Sequence, residues 1–146
     1  DTAVLALSQH CARLQIIFIA HSRLCTEASI VALATHCKEL VCIYVTEIMC
    51  VSDVAMTAIA AHLSNIKCIC ISPCTKATDA GVALIAHSCR LLQAVFFGSC
   101  SELTELSLLA LSRHCTKLRR AFLTNATKIA PEYLKQLPKT PVFELS

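Results

Sequence analysis

Residues 67–76 read KCICISPCTK and place three cysteines, Cys68, Cys70 and Cys74, within seven positions. Thiols this close invite zinc ligation or a dithiol–disulfide couple. A second set extends the invitation. Histidine precedes cysteine at 10–11, 36–37 and 114–115, and His62 stands where another pair would fall. Whether any of these groups can meet depends on the elements that carry them.

Those elements follow a beat. Cys11, Cys37, Cys89 and Cys115 are separated by 26, 52 and 26 residues, and Leu63 fills the vacant place. At the same period, Leu7, Leu33, Ile59, Ile85, Leu111 and Leu137 form one column, and Val4, Ile30, Met56, Val82, Leu108 and Leu134 another. Ser8, Ala34, Ala60, Ala86 and Ser112 form a column of small residues. Together the offsets are i, i+3, i+4 and i+7, the apolar stripe of an α-helix. Upstream stand Thr26-Glu27, Ser52-Asp53, Thr78-Asp79 and Thr104-Glu105. A hydroxyl N-cap followed by an acid suits the unpaired N–H groups and the dipole of a helix start.

After each helix the residues turn to alternation: Leu14/Ile17/Ile19, Leu40/Ile43/Val45, Ile66/Ile69/Ile71, Leu92/Val95/Phe97 and Leu118/Ala121/Leu123. Period 2 with β-forming side chains predicts a short strand. One helix and one strand cannot bury their apolar faces alone, but stacked copies can. The expected fold class is therefore α/β, a parallel sheet backed by helices. It comprises five 26-residue copies and a truncated sixth from about residue 124, in which Pro138 and Pro141 break the helix and Val142 to Leu145 could still supply a short strand.

These columns resemble the cysteine-containing leucine-rich repeat. The segment from Ala77 to Cys100, ATDAGVALIAHSCRLLQAVFFGSC, carries Thr78, Asp79, Gly81, Val82, Ile85, Ala86, Cys89, Leu92, Val95, Phe97 and Cys100 at the family's positions. The likeness spans about residues 1 to 137. It implies a curved, right-handed leucine-rich-repeat solenoid with strands on the concave side and helices on the convex side. The family is known from substrate-binding arrays of F-box ubiquitin-ligase receptors, and from non-catalytic subunits of large assemblies, ciliary complexes among them. No F-box segment is visible. Asp1 already stands in the acid column, so a piece of a longer protein is expected.

The frame sorts the cysteines. Ile69 and Ile71 point to the core, so Cys68 and Cys70 point to the concave surface. Cys42, one repeat earlier, belongs beside Cys68 on the neighbouring strand, and the three thiols could meet there. Zinc would want a fourth ligand, and none is evident. By resemblance, Cys74 and Cys100 occupy the position that turns inward to satisfy loop backbone. In the histidine column the adjacent cysteine faces the core, about 100° away around the helix, so one pair does not chelate one ion. The histidines fall at helix C-termini, where they suit the dipole.

The concave strand positions then draw attention. The central column is Phe18, Tyr44, Cys70, Phe96 and Phe122, which holds four of the chain's seven aromatics. Ile16, Cys42, Cys68, Ala94 and Arg120 run on one side, and Ala20, Thr46, Ser72, Gly98 and Thr124 on the other. β-propensity alone accounts for aromatics in strands. A contiguous exposed apolar strip ending in arginine also marks a binding surface. The expected partner-binding residues are Ile16, Phe18, Tyr44, Cys70, Phe96, Phe122 and Arg120.

Composition narrows the rest. A mean hydropathy of +0.63 is high, yet the longest charge-free run, residues 54–66, falls short of the roughly 20 apolar residues a membrane span needs. No secretory signal is recognisable at the start. Eleven cysteines form an odd set, mostly inside apolar runs, which points to a reducing compartment, cytoplasmic or nuclear, or ciliary for a structural subunit. A net charge of +3 does not mark a nucleic-acid binder. The basic residues Arg113, Lys117, Arg119, Arg120, Lys128, Lys135 and Lys139 fit a solvated end face. No phosphate-binding loop, dinucleotide fingerprint or nucleophile elbow is present, so neither an enzyme nor a cofactor is expected. The expected function is a non-catalytic protein-binding scaffold with its partner on the concave face, by resemblance the substrate-recognition array of an F-box-type receptor within a multi-subunit complex. The alternatives are a structural subunit of a large assembly and, behind it, a metal- or redox-responsive protein using Cys42, Cys68 and Cys70.

Overall fold

The computed structural model describes residues 1–48, 51–138 and 141–146. Helices and strands alternate: α1 Thr2–His10, β1 Ile16–Ile19, α2 Glu27–His36, β2 Cys42–Thr46, α3 Asp53–His62, β3 Cys68–Ser72, α4 Asp79–Ser88, β4 Ala94–Phe97, α5 Glu105–His114, β5 Arg120–Leu123. A 3₁₀ turn, Pro131–Gln136, leads to β6, Val142–Leu145. The strands form one parallel sheet in chain order, β1 to β6. From β1 to β5, register partners are 26 residues apart, as in Phe18 with Tyr44. At β6 the offset falls to 22, Arg120 pairing with Val142, because the short 3₁₀ turn replaces a helix. Among the described residues no helix is long and apolar enough to cross a membrane.

Helices of about ten residues are too short to persist alone. Packing holds them. Ile43, Ile69, Val95 and Ala121 from one strand row, and Val45, Ile71, Phe97 and Leu123 from the next, share a continuous core with Leu33, Ile59, Ile85 and Leu111 of the helices. Each fully buried Ile or Leu contributes about 1.5–3 kcal/mol. Helix packs on helix and strand on strand, each against its counterpart one copy away. The α/β class and the repeat-like arrangement are thus present.

One core expectation fails at α1. Cys11 is exposed, and Leu7 is 38% exposed where its column mates Leu33 and Ile59 are fully buried. Among the described residues α1 packs chiefly against α2, whereas α2, α3 and α4 each pack against a helix on both sides. Elsewhere the column behaves as expected. Cys37, Cys89 and Cys115 are buried, and their thiols donate to the carbonyls of Ser8, Leu63 and Ala86 at the end of the preceding helix.

The helix starts hold more than the sequence indicated. Thr26, Ser52, Thr78 and Thr104 are N-caps whose hydroxyls accept from the N–H two residues on. The acids beside them do not only face their own helix dipole. Asp1, Glu27, Asp53 and Asp79 each reach the next copy and accept both the backbone N–H and the hydroxyl of its cap, at 2.6–2.9 Å.

Candidate protein-binding surface

The sheet face turned away from the helices carries the predicted rows. Phe18, Tyr44, Cys70, Phe96 and Phe122 are successive register partners, and Glu144 of β6 continues the row. Phe18 stacks on Tyr44 with centroids 4.0 Å apart and planes at 6°. Phe96 stacks on Phe122 at 4.9 Å and 7°. Parallel strands about 4.8 Å apart hold the rings face to face. The expected ladder is therefore two ring pairs separated by Cys70.

Ile16 is 64% and Phe18 66% exposed. Tyr44, Phe96 and Phe122 are half-buried, and Arg120 is exposed. Cys70 corrects the expectation: it lies in the row but is only 7% exposed. The larger Tyr44 and Phe96 flank it, and its thiol interacts with the Tyr44 hydroxyl. Period 2 sorts residues by face, not by depth. Cys70 instead helps line a hollow of about 220 Å³ with Tyr44, Ser72, Phe96 and Gly98. Glycine is needed there, since a Cβ would lie 2.6 Å from the Ser72 Cβ and closer to its hydroxyl.

The remaining thiols offer little chemistry. Cys42 and Cys68 are register partners, as expected, and Cys70 follows two residues along. Among the described residues no group of three or more His, Cys, Asp or Glu side chains is placed to hold a metal ion. Burial, then the neighbouring Cys42, pushes the Cys68 thiol well above its ordinary range, and burial raises Cys70. Such thiols stay protonated at neutral pH and pack as small apolar groups. Cys74 and Cys100 turn inward and donate to the carbonyls of Ile71 and Phe97 at 3.1 and 3.4 Å.

The histidines end their helices, as placed from sequence. The His114 ring lies 4.2 Å from that of His87. Partial burial lowers its pKa, and the nearby His87, Arg90 and Arg113 lower it further. The basic C-terminal residues do not form one patch. Lys128 pairs with Glu102 at 2.7 Å, Arg113 ends α5, and Lys135 sits in the 3₁₀ turn. Lys139 falls outside the described residues. Lys117, Arg119 and Arg120 stay together around a hollow of about 750 Å³.

The sequence reading missed the helical layer. Val54, Leu84 and Leu106 are 59%, 45% and 62% exposed on it. A groove of about 840 Å³ follows α2, bordered by Leu5, Ala28, Val31, Ala32 and Val54, with Glu27, His36 and Lys76 at its polar margin. The signal was present, because the outward positions 54, 84 and 106 are Val, Leu and Leu. The high hydropathy therefore belongs to both faces. Compared with protein-family models and with curated protein sequences, the chain matches none.

Proposed function

We propose that the chain is a non-catalytic protein–protein interaction scaffold, a curved solenoid of the cysteine-containing leucine-rich-repeat type that holds a protein partner on its concave, strand-bearing side. The paired-ring row carries this reading. Phe18 at 66% and Ile16 at 64% exposure form one apolar strip with Tyr44, Phe96 and Phe122, and Arg120 lies beside it. Aromatic and arginine side chains in such strips are the usual anchors of interfaces. Within this class, the likeness of residues 77–100 to the family pattern favours the substrate-recognition array of an F-box-type ubiquitin-ligase receptor, working in a reducing cytoplasmic or nuclear compartment. Retention of a partner by the full-length protein, compared across wild type, Phe18→Ala and Phe96→Ala, tests the concave-face assignment. Unchanged retention in both variants removes it.

One observation favours a second reading. The helical layer is apolar as well, with Val54 and Leu106 about as exposed as Ile16. A structural subunit enclosed within a large assembly, such as a ciliary complex, would have both faces covered. Fixed-stoichiometry co-purification, with insolubility of the isolated segment, marks that case.

A further inference from the structure

Because every strand runs in the same direction, all helix-to-strand turns lie along one edge of the sheet and all strand-to-helix turns along the other. The two edges differ in charge. The turns entering the strands, residues 11–15, 37–41, 63–67, 89–93 and 115–119, carry Arg13, Lys38, Lys67, Arg90, Lys117 and Arg119 against one acid, Glu39. The opposite edge holds the carboxylates Glu27, Glu47, Asp53, Asp79, Glu102 and Glu105 against the cations Arg23, Lys76 and Lys128, of which Arg23 and Lys128 pair with Glu47 and Glu102.

Lys38 and Arg90 turn back to helix-end carbonyls, of Ala34 and His87, and so serve their own helices. Lys67, Lys117, Arg119 and Arg120 are exposed, and none has a carboxylate within ion-pair distance among the described residues. Three of them line one hollow with Gln93 and Thr116, and no acid borders it. This cationic hollow joins the aromatic strip directly. Arg120 and Phe122 lie on the same face of β5, two residues and therefore about 7 Å apart. Beside Arg120 the small Ala94 leaves the guanidinium uncovered, while Phe96 stacks beside Phe122.

We infer that the partner presents an extended acidic segment, seated with an apolar side chain over Phe96 and Phe122 and carboxylates against Lys117, Arg119 and Arg120. This rests on the reading of the open sheet face as protein-binding and names the chemistry of what binds. Charge complementarity supplies the direction, because the strand-entry edge attracts anions and the acidic edge repels them. A nucleic-acid strand would also meet cations and rings. Its bases, however, need ring faces on which to stack. Phe96 and Phe122 each give one ring face to the other, and their outer faces turn toward the neighbouring strands that carry Cys70 and Glu144.

The test uses the whole chain and four fluorescein-labelled probes, read by anisotropy: a glutamate-rich decapeptide with central phenylalanine, the same with central alanine, a serine-rich decapeptide with central phenylalanine, and a ten-nucleotide single-stranded RNA. The expected result is tightest binding of the glutamate–phenylalanine peptide, by roughly tenfold over the serine-rich one at low salt, falling as salt rises. The double variant Arg119→Glu/Arg120→Glu, both exposed and checked for an unchanged fold by circular dichroism, removes that advantage. Equal binding of the acidic and serine-rich peptides, lost in Phe96→Ser/Phe122→Ser, overturns the acidic inference and leaves the protein-binding reading standing. Tighter binding of the RNA overturns the inference in favour of nucleic acid. Binding of none of the four overturns it as well.

Discussion

Both carboxylate oxygens of Asp53 are spent on Thr78, 25 residues ahead: Oδ1 accepts the backbone N–H at 2.7 Å and Oδ2 the hydroxyl at 2.6 Å. The same hydroxyl accepts the Ala80 N–H and so caps the following helix. Each copy thus orients the start of the next. Asp53→Ala would leave two polar groups of Thr78 unpaired at a partly buried site, at a cost of about 1–3 kcal/mol. A double-mutant cycle with Thr78→Val, followed by urea denaturation, is expected to give a coupling of about 1 kcal/mol or more. Additive effects would show the pair to be uncoupled.

Gly81 lies under that clamp. A Cβ there would collide with Asp53 Oδ1 and stand 3.0 Å from the Met56 Cβ. Gly81→Ala is therefore expected to destabilise by about 1–3 kcal/mol, although alanine is the better helix former. In the Asp53→Ala background the carboxylate obstacle is gone while the close Met56 Cβ remains, and the cost of the substitution is expected to shrink by about 1 kcal/mol or more. A smaller loss in that background than in wild type, read by thermal or urea unfolding, is the check.

Asp79 gives the clamp a pH signature. Burial alone would raise its pKa, but the bonds from Ser107 and Thr104 outweigh burial and hold it below the ordinary 3.8. A carboxylate with a lowered folded-state pKa stabilises fully above its unfolded value, and that contribution disappears as pH falls through the folded value. Wild type should lose stability from about pH 4 downward more steeply than Asp79→Asn, measured by urea denaturation across that range. Parallel curves would contradict the assignment.

Four residues without glycine's freedom hold positive φ at one point of the period: His21, Glu47, Ser99 and Asn125, all between 53 and 56°. Left-handed backbone costs a side-chain-bearing residue about 1–2 kcal/mol. Ser99→Gly relieves it while keeping the N–H that donates to Thr124, and is expected to raise stability by up to about 1 kcal/mol after glycine's own entropy. Asn125→Gly should gain less, since Asn tolerates this region. Unfolding midpoints of the two variants decide it.

These features show what could be read in advance and what could not. The helix stripe and strand alternation were legible because burial obeys periods of 3.6 and 2, which placed Phe18 beside Tyr44 and Phe96 beside Phe122 before any coordinates. The clamp was not, because an acid in a first helical turn has a sufficient explanation within its own helix. The left-handed column was hidden because its members are His, Glu, Ser and Asn. Its remaining place is Pro73, which cannot take positive φ and follows a cis bond instead. The depth of Cys70 depended on the size of its neighbours across two strands, which alternation within one strand does not report. The apolar helix face passed unnoticed because Val54, Leu84 and Leu106 lie outside the columns that define the buried stripe.

The central claim is that the aromatic face of the sheet, not the helical layer, holds the partner. The most direct measurement is quantitative capture by the full-length protein in three forms: wild type, Phe96→Ser/Phe122→Ser, and Val54→Ser/Leu106→Ser, each checked for an unchanged unfolding midpoint. The account predicts that a partner is lost with the first pair and retained with the second. Retention with the first pair and loss with the second would contradict it.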